Sequence, residues 1–139
     1  MNIKQAADLF NLTTDTLRYY ERIGVVPPVT RNASGYRDYQ TSDLNWIYLV
    51  KCLRDAGVSV ESLIDFATLS QGDRNQSDQT AQKAILQEQL DRLEEKLQQL
   101  QKTKSLLQYK IDTYDDHIAK YVTNSTKQEV EPLWKQFEK

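Results

Sequence analysis

The chain is short of several residue types. It has one cysteine, one histidine, four glycines and three prolines in 139 residues. One cysteine permits no internal disulfide, so the fold rests on packing and suits a reducing compartment. The single histidine, His117, is followed by no ligand cluster, which argues against a metal site, and nothing calls for a cofactor. No apolar run approaches membrane-spanning length, and the opening MNIKQAADLF lacks a basic region followed by an apolar one. A cytoplasmic protein is the expectation. There is no phosphate-binding glycine loop, and Cys52 has no histidine beside it in sequence, so an enzyme is not expected. Mean hydropathy is −0.70 and the formal net charge is −2, so any nucleic-acid site must be local.

The most informative stretch is Thr13 to Tyr39. Leu17, Tyr20 and Ile23 mark one face of a short helix, capped by Thr13 or Thr14, and Arg18, Tyr19 and Arg22 crowd the rest of it. Gly24 stops the helix, and Pro27-Pro28 forbids its resumption. Val29 to Arg31 and Tyr36 to Tyr39 then read as two short strands around a turn at Asn32 to Gly35. Within residues 16–37, Arg18, Arg22, Arg31 and Arg37 stand against Glu21 alone. A helix of this size fits a DNA major groove, and a hairpin beside it can reach flanking phosphates. Tyr19, Tyr20, Tyr36 and Tyr39 offer hydroxyl donors, and Arg37 suits bidentate phosphate binding. One of Tyr19 and Tyr20 must face inward, because adjacent helical positions diverge by about 100°.

Around this stretch the pattern is helical. Ile3, Ala6, Ala7, Leu9 and Phe10 form a first helix closing near Asn11, a residue that tolerates the left-handed conformation. Thr41-Ser42-Asp43 caps a third helix reaching about Ala56, with Trp46, Ile47, Leu49, Val50 and Leu53 on its apolar arc. Gly57 ends it, and Ser59 caps a fourth, whose free N-terminus is either a simple cap or a phosphate site. The expected organisation is a DNA-binding domain over 1–70, a polar linker over 71–79, a long helix over 80–122 and a tail over 123–139. Leu86, Leu90, Leu93, Leu97, Leu100, Lys104, Leu107, Ile111, Tyr114, Ile118 and Tyr121 alternate spacings of four and three. That seam predicts a coiled coil roughly 60 Å long. A lone helix cannot bury its own stripe, and no glycine or proline lies within 80–122 to turn the chain, so a homodimer is expected. In the tail, Val130, Leu133, Trp134 and Phe137 share a face suited to docking.

LRYYERIGVVPP followed by SGYRDY resembles the signature of the MerR family of transcription regulators. KCLRDAGVSVESL, residues 51–63, is similar to the short thiol- and aldehyde-responsive members, the NmlR/AdhR-like group. The resemblance implies a mainly α fold: a winged helix–turn–helix followed by a long dimerisation helix, an antiparallel coiled coil in the homodimer. It implies that Thr14, Arg18, Tyr20, Tyr36 and Arg37 contact DNA, and Tyr19 and Gly35 are expected on the same surface. It also implies that the dimer distorts a promoter spacer so that RNA polymerase engages both promoter elements. Metal-sensing members carry cysteines near the end of the long helix, and this chain has none there.

That leaves Cys52 as the candidate sensor. One reading makes it a small packing residue; the other makes it the target of an aldehyde, a quinone or an oxidant. Lys51 and Arg54 flank it with positive charge, but its place near a helix C-terminus sets the dipole against an anion. Two other classes stay open: an architectural or excisionase-like DNA-binding factor without an inducer, and a coiled-coil adaptor with a vestigial helix–turn–helix.

Overall fold

The computed structural model describes residues 1–72, 75–123 and 132–137. The helices are α1 (Ile3–Phe10), α2 (Thr14–Ile23), α3 (Thr41–Asp55), α4 (Val60–Ser70), α5 (Gln76–Asp112), α6 (Tyr114–Thr123) and α7 (Leu133–Phe137). They fall into two compact units, Met1–Leu90 and Asp91–Lys139. No described helix is long and apolar enough to cross a membrane.

In the first unit, α1, α2 and α3 stop in the same way. Asn11, Gly24 and Gly57 take positive φ of 53°, 85° and 88°. The next amide then reaches back five residues, Leu12 to Ala7, Val25 to Tyr20 and Val58 to Leu53, at 2.9, 3.1 and 2.9 Å. This closure satisfies carbonyls that a helix end leaves open, and it turns an apolar residue inward each time. Val25 and Val58 are buried, and Leu12 packs on the core. Ala6, Ala7, Leu17, Ile47, Val50 and Leu63 complete a single apolar centre under α1 to α4. Each large side chain buried there contributes about 1.5–3 kcal/mol of transfer free energy. Trp46 and Phe66 carry the packing outward, with ring centroids 5.2 Å apart.

Thr13 is the N-cap of α2, its hydroxyl accepting from the Thr16 amide at 3.0 Å. The start of α3 differs from expectation. Gln40, not Thr41 to Asp43, is the N-cap, and the Asp43 carboxylate reaches back to the Gln40 amide at 2.8 Å. Ser59 caps α4 by accepting from the Ser62 amide at 3.2 Å.

Two further expectations change. The polar segment 71–79 is not all linker, because α5 begins at Gln76, where Asn75 accepts the Asp78 amide at 2.8 Å. Nor is the helix over 80–122 continuous: it breaks at Thr113. The Thr113 hydroxyl and amide both donate to the Tyr109 carbonyl, at 2.7 and 3.0 Å. Thr80 and Thr103 make the same bond within unbroken α5, at 2.8 and 3.2 Å, so this hydroxyl alone does not account for the break. Within the second unit, the Tyr109 ring lies 6.1 Å from His117 and 5.6 Å from Phe137. The tail's expected apolar face is thus divided: Phe137 meets Tyr109, Trp134 is exposed, and Val130 lies outside the described residues.

Candidate nucleic-acid interface

The geometry of α2 follows from its period. Leu17 is buried and Tyr20 and Ile23 pack on the core, which turns Arg18, Tyr19 and Arg22 to solvent. Tyr19 is therefore the outward member of the tyrosine pair. The Arg22 guanidinium stacks over its ring, 5.4 Å from the centroid, which limits the freedom of both side chains. Arg18 donates to Asp15 at 3.2 Å and to Thr14 at 3.4 Å. That ion pair is well exposed, so it adds little stability and leaves Arg18 exchangeable.

Beyond Pro28 the chain makes a loop rather than the two expected strands; among the described residues it contains an isolated antiparallel bridge, Arg31 to Arg37. The cause is Asn32. Its side-chain oxygen accepts the amides of Ser34 and Tyr36, at 3.0 and 3.1 Å, so the Tyr36 amide does not extend the ladder. Gly35 sits at φ +83°, where a side chain is disfavoured, and Tyr36 next to it is 73% exposed. Arg31 donates to the Gly35 carbonyl at 2.9 Å, stiffening the tip.

Loop and helix are tied together by Glu21. Its carboxylate accepts the Val29 amide at 3.1 Å, and Arg37 through Nε at 3.5 Å and Nη2 at 3.3 Å. The Arg31 guanidinium approaches it to 3.6 Å. The Glu21 side chain is only 15% exposed, and that of Arg37 24%. Arg37 is thus not a free cation, although a guanidinium has five N–H donors and Glu21 takes two of them. Charge counting presents Glu21 as one negative among positives. Its position one helical turn after Leu17 and Arg18, on the side facing the loop, is the signal that it has partners.

Tyr39 does not join this surface. It is 2% exposed, and its hydroxyl has no hydrogen-bond partner among the described residues. Burial is the main influence raising its ionisation above the usual tyrosine range, with Arg37 partly opposing. Tyr20 is raised for the same main reason, partly opposed by Arg54. Cys52 is exposed on the last turn of α3, not buried among core side chains. Its basic neighbours are engaged elsewhere: Lys51 donates to the Phe10 carbonyl, and Arg54 to the Val58 carbonyl at 2.7 Å. The described seam residues of α5 and α6, Leu86, Leu90, Leu93, Leu97, Leu100, Leu107, Ile111, Tyr114 and Ile118, are 42–69% exposed in the single chain. The side chain of Tyr121 lies outside the described residues.

A helix pair closed by a left-handed corner, with a basic second helix and a loop tied beside it, defines a helix–turn–helix protein of the winged kind. The comparisons agree. The model of the MerR HTH family regulatory proteins matches residues 1–68, and that of the MerR DNA-binding region matches residues 44–109. The HTH-type transcriptional regulator AdhR of Bacillus subtilis is 51% identical over 94 residues, covering 67% of this chain and 65% of that protein. A MerR family regulator from Listeria monocytogenes superposes with a TM-score of 0.77 at 36% identity, covering 88% of this chain and 92% of that one. HiNmlR, a MerR family regulator lacking the sensor domain and bound to promoter DNA, superposes with a TM-score of 0.71 at 27% identity, covering 85% and 92%. The chain belongs to the MerR family of DNA-binding transcriptional regulators.

Proposed function

We propose that the chain binds a near-palindromic promoter site as a homodimer, one α2–loop unit per half-site, and activates transcription by distorting the spacer. Thr14, Arg18, Tyr19, Tyr36 and Arg37 supply contacts to bases and phosphates, Gly35 lets the loop backbone approach closely, and Tyr20 seats α2 from beneath. The observation that carries this reading is the joint outward presentation of Arg18, Tyr19 and Tyr36 from a helix and loop fastened to each other. The exposed seam supports dimerisation, since an apolar stripe of this length calls for a partner. RNA polymerase is the partner that the family resemblance implies.

The inducer in this reading is an aldehyde or another electrophile acting at Cys52. The sulfur adds to an electrophilic carbon and forms a C–S bond; with a simple aldehyde the thiol proton passes to the carbonyl oxygen, giving a thiohemiacetal. Exposure of Cys52, with exposed Tyr48 one turn before it, supports access and room for an adduct. The test is transcription from the cognate promoter with and without an aldehyde, for wild type and Cys52→Ala, with gel shifts alongside. Loss of induction with binding intact establishes the switch. A mutant that responds like wild type removes Cys52 from the mechanism.

A further inference from the structure

We propose that Glu21 is a positioning residue for DNA recognition: its carboxylate aims the loop's arginines by holding the loop against α2. This rests on the DNA-binding reading above and adds a role for an acidic residue inside a basic surface. Simple electrostatics assigns Glu21 the opposite effect, since a carboxylate beside DNA phosphates repels them.

Three features favour positioning. First, the contacts reach the whole loop. Val29 lies at its entry, Arg31 on its outgoing limb and Arg37 on its returning limb, and all three meet one carboxylate. Second, the loop's other ties, the Arg31–Arg37 bridge, the Asn32 turn and the Arg31–Gly35 bond, are internal to it and do not reach α2. Third, Glu21 is mostly shielded from water, so its attraction for Arg37 and Arg31 is less screened than that of an exposed ion pair. Arg37 keeps three N–H donors beyond the two that Glu21 engages, so a guanidinium fixed by Glu21 can still meet a phosphate. Fixing it beforehand removes part of the side-chain ordering cost of binding.

The two roles predict opposite signs. The experiment uses the full chain and measures affinity for two duplexes over a series of salt concentrations. One duplex is that which wild type selects from a random-sequence pool; the other is a scrambled duplex of the same composition. Glu21→Gln removes the charge, and Glu21→Asp keeps the charge but withdraws it from the loop by one methylene. Positioning predicts that both variants lose about tenfold or more on the selected duplex, a typical cost for a lost specific contact. On the scrambled duplex Glu21→Asp also weakens, because a phosphate contact serves every sequence, while for Glu21→Gln the lost repulsion offsets part of the loss. Tighter binding of Glu21→Gln to both duplexes, with Glu21→Asp unchanged, would overturn the proposal and leave Glu21 a counter-charge. Glu21→Asp keeps the helix and the charge, so it decides the question even where Glu21→Gln folds poorly. A wild-type chain that selects no sequence overturns the DNA-binding reading itself, a result seen before either variant is made.

Discussion

Lys51 donates its ammonium hydrogen bond to the carbonyl of Phe10, fastening the last turn of α3 to the end of α1. The lysine beside Cys52 is therefore a structural cap for another helix, and the cysteine next to it stands in solvent. Because Cys52 packs against little, Cys52→Ala should change stability by no more than about 0.5 kcal/mol. A disulfide reagent should titrate one thiol per native chain without denaturant. A thiol that reacts only after unfolding would show that Cys52 is covered.

Tyr39 carries a buried hydroxyl without a partner among the described residues. Tyr39→Phe removes that polar atom and should be neutral or stabilising by up to about 1–2 kcal/mol in denaturant melts. The pH dependence has a definite sign. Its folded-state ionisation is raised, so its contribution is fully present below the unfolded tyrosine value of about 10 and is lost as pH climbs through the folded one. Wild type should lose stability above about pH 10, and Tyr39→Phe should lose less, with Tyr20 accounting for part of the remainder.

Asn11 and Gly24 close consecutive helices at positive φ. Asn11→Gly should stabilise the chain by a few tenths to about 1 kcal/mol, because only glycine adopts this conformation freely. Gly24→Ala should cost about 1–2 kcal/mol from backbone strain alone, since an added Cβ meets nothing within 4 Å. Thermal melts of both variants check the pair of opposite signs.

Leu97 lies on the seam and is 56% exposed in the single chain. Leu97→Asp should leave the melting of the first unit unchanged while shifting sedimentation from dimer to monomer. Lys104→Leu should act in the other direction, since a polar seam position limits coiled-coil stability. A wild-type chain that sediments as a monomer at micromolar concentration would remove the dimer.

Arg37→Ala should weaken binding to every duplex and reduce the salt slope by about 1, as expected for one lost phosphate contact. An unchanged slope with weaker binding would mean that Arg37 serves only to hold Glu21.

What could be read in advance was whatever depends on near neighbours. Thr13, Ser59, Gly24, Gly57 and Asn11 set the ends of helices through bonds spanning three to five residues, and those ends fell where expected. Period alone required that one of Tyr19 and Tyr20 turn inward; that it is Tyr20, which the resemblance set among the DNA-facing residues, came from the structure. Two features were not legible for the opposite reason. The ties of Glu21 to Val29, Arg31 and Arg37 span eight to sixteen residues and depend on the loop folding back. Burial of Tyr39 is decided by core packing rather than by its own neighbours. The break at Thr113 had no local signal, since Thr80 and Thr103 make the same hydroxyl bond in unbroken helix. Asn75, by contrast, had a readable signal, an Asn with Asp three residues on, which polar composition obscured.

One carboxylate on α2 grips both limbs of the loop, and this bears on how such a regulator can be recombined. A chimera that exchanges α2 alone would bring new reading side chains but strand Val29, Arg31 and Arg37 without their anchor. The smallest transferable cassette therefore runs from Thr13 through Asp38, with joints placed at the caps on either side. Retargeting to a new operator belongs to that whole cassette rather than to the helix inside it.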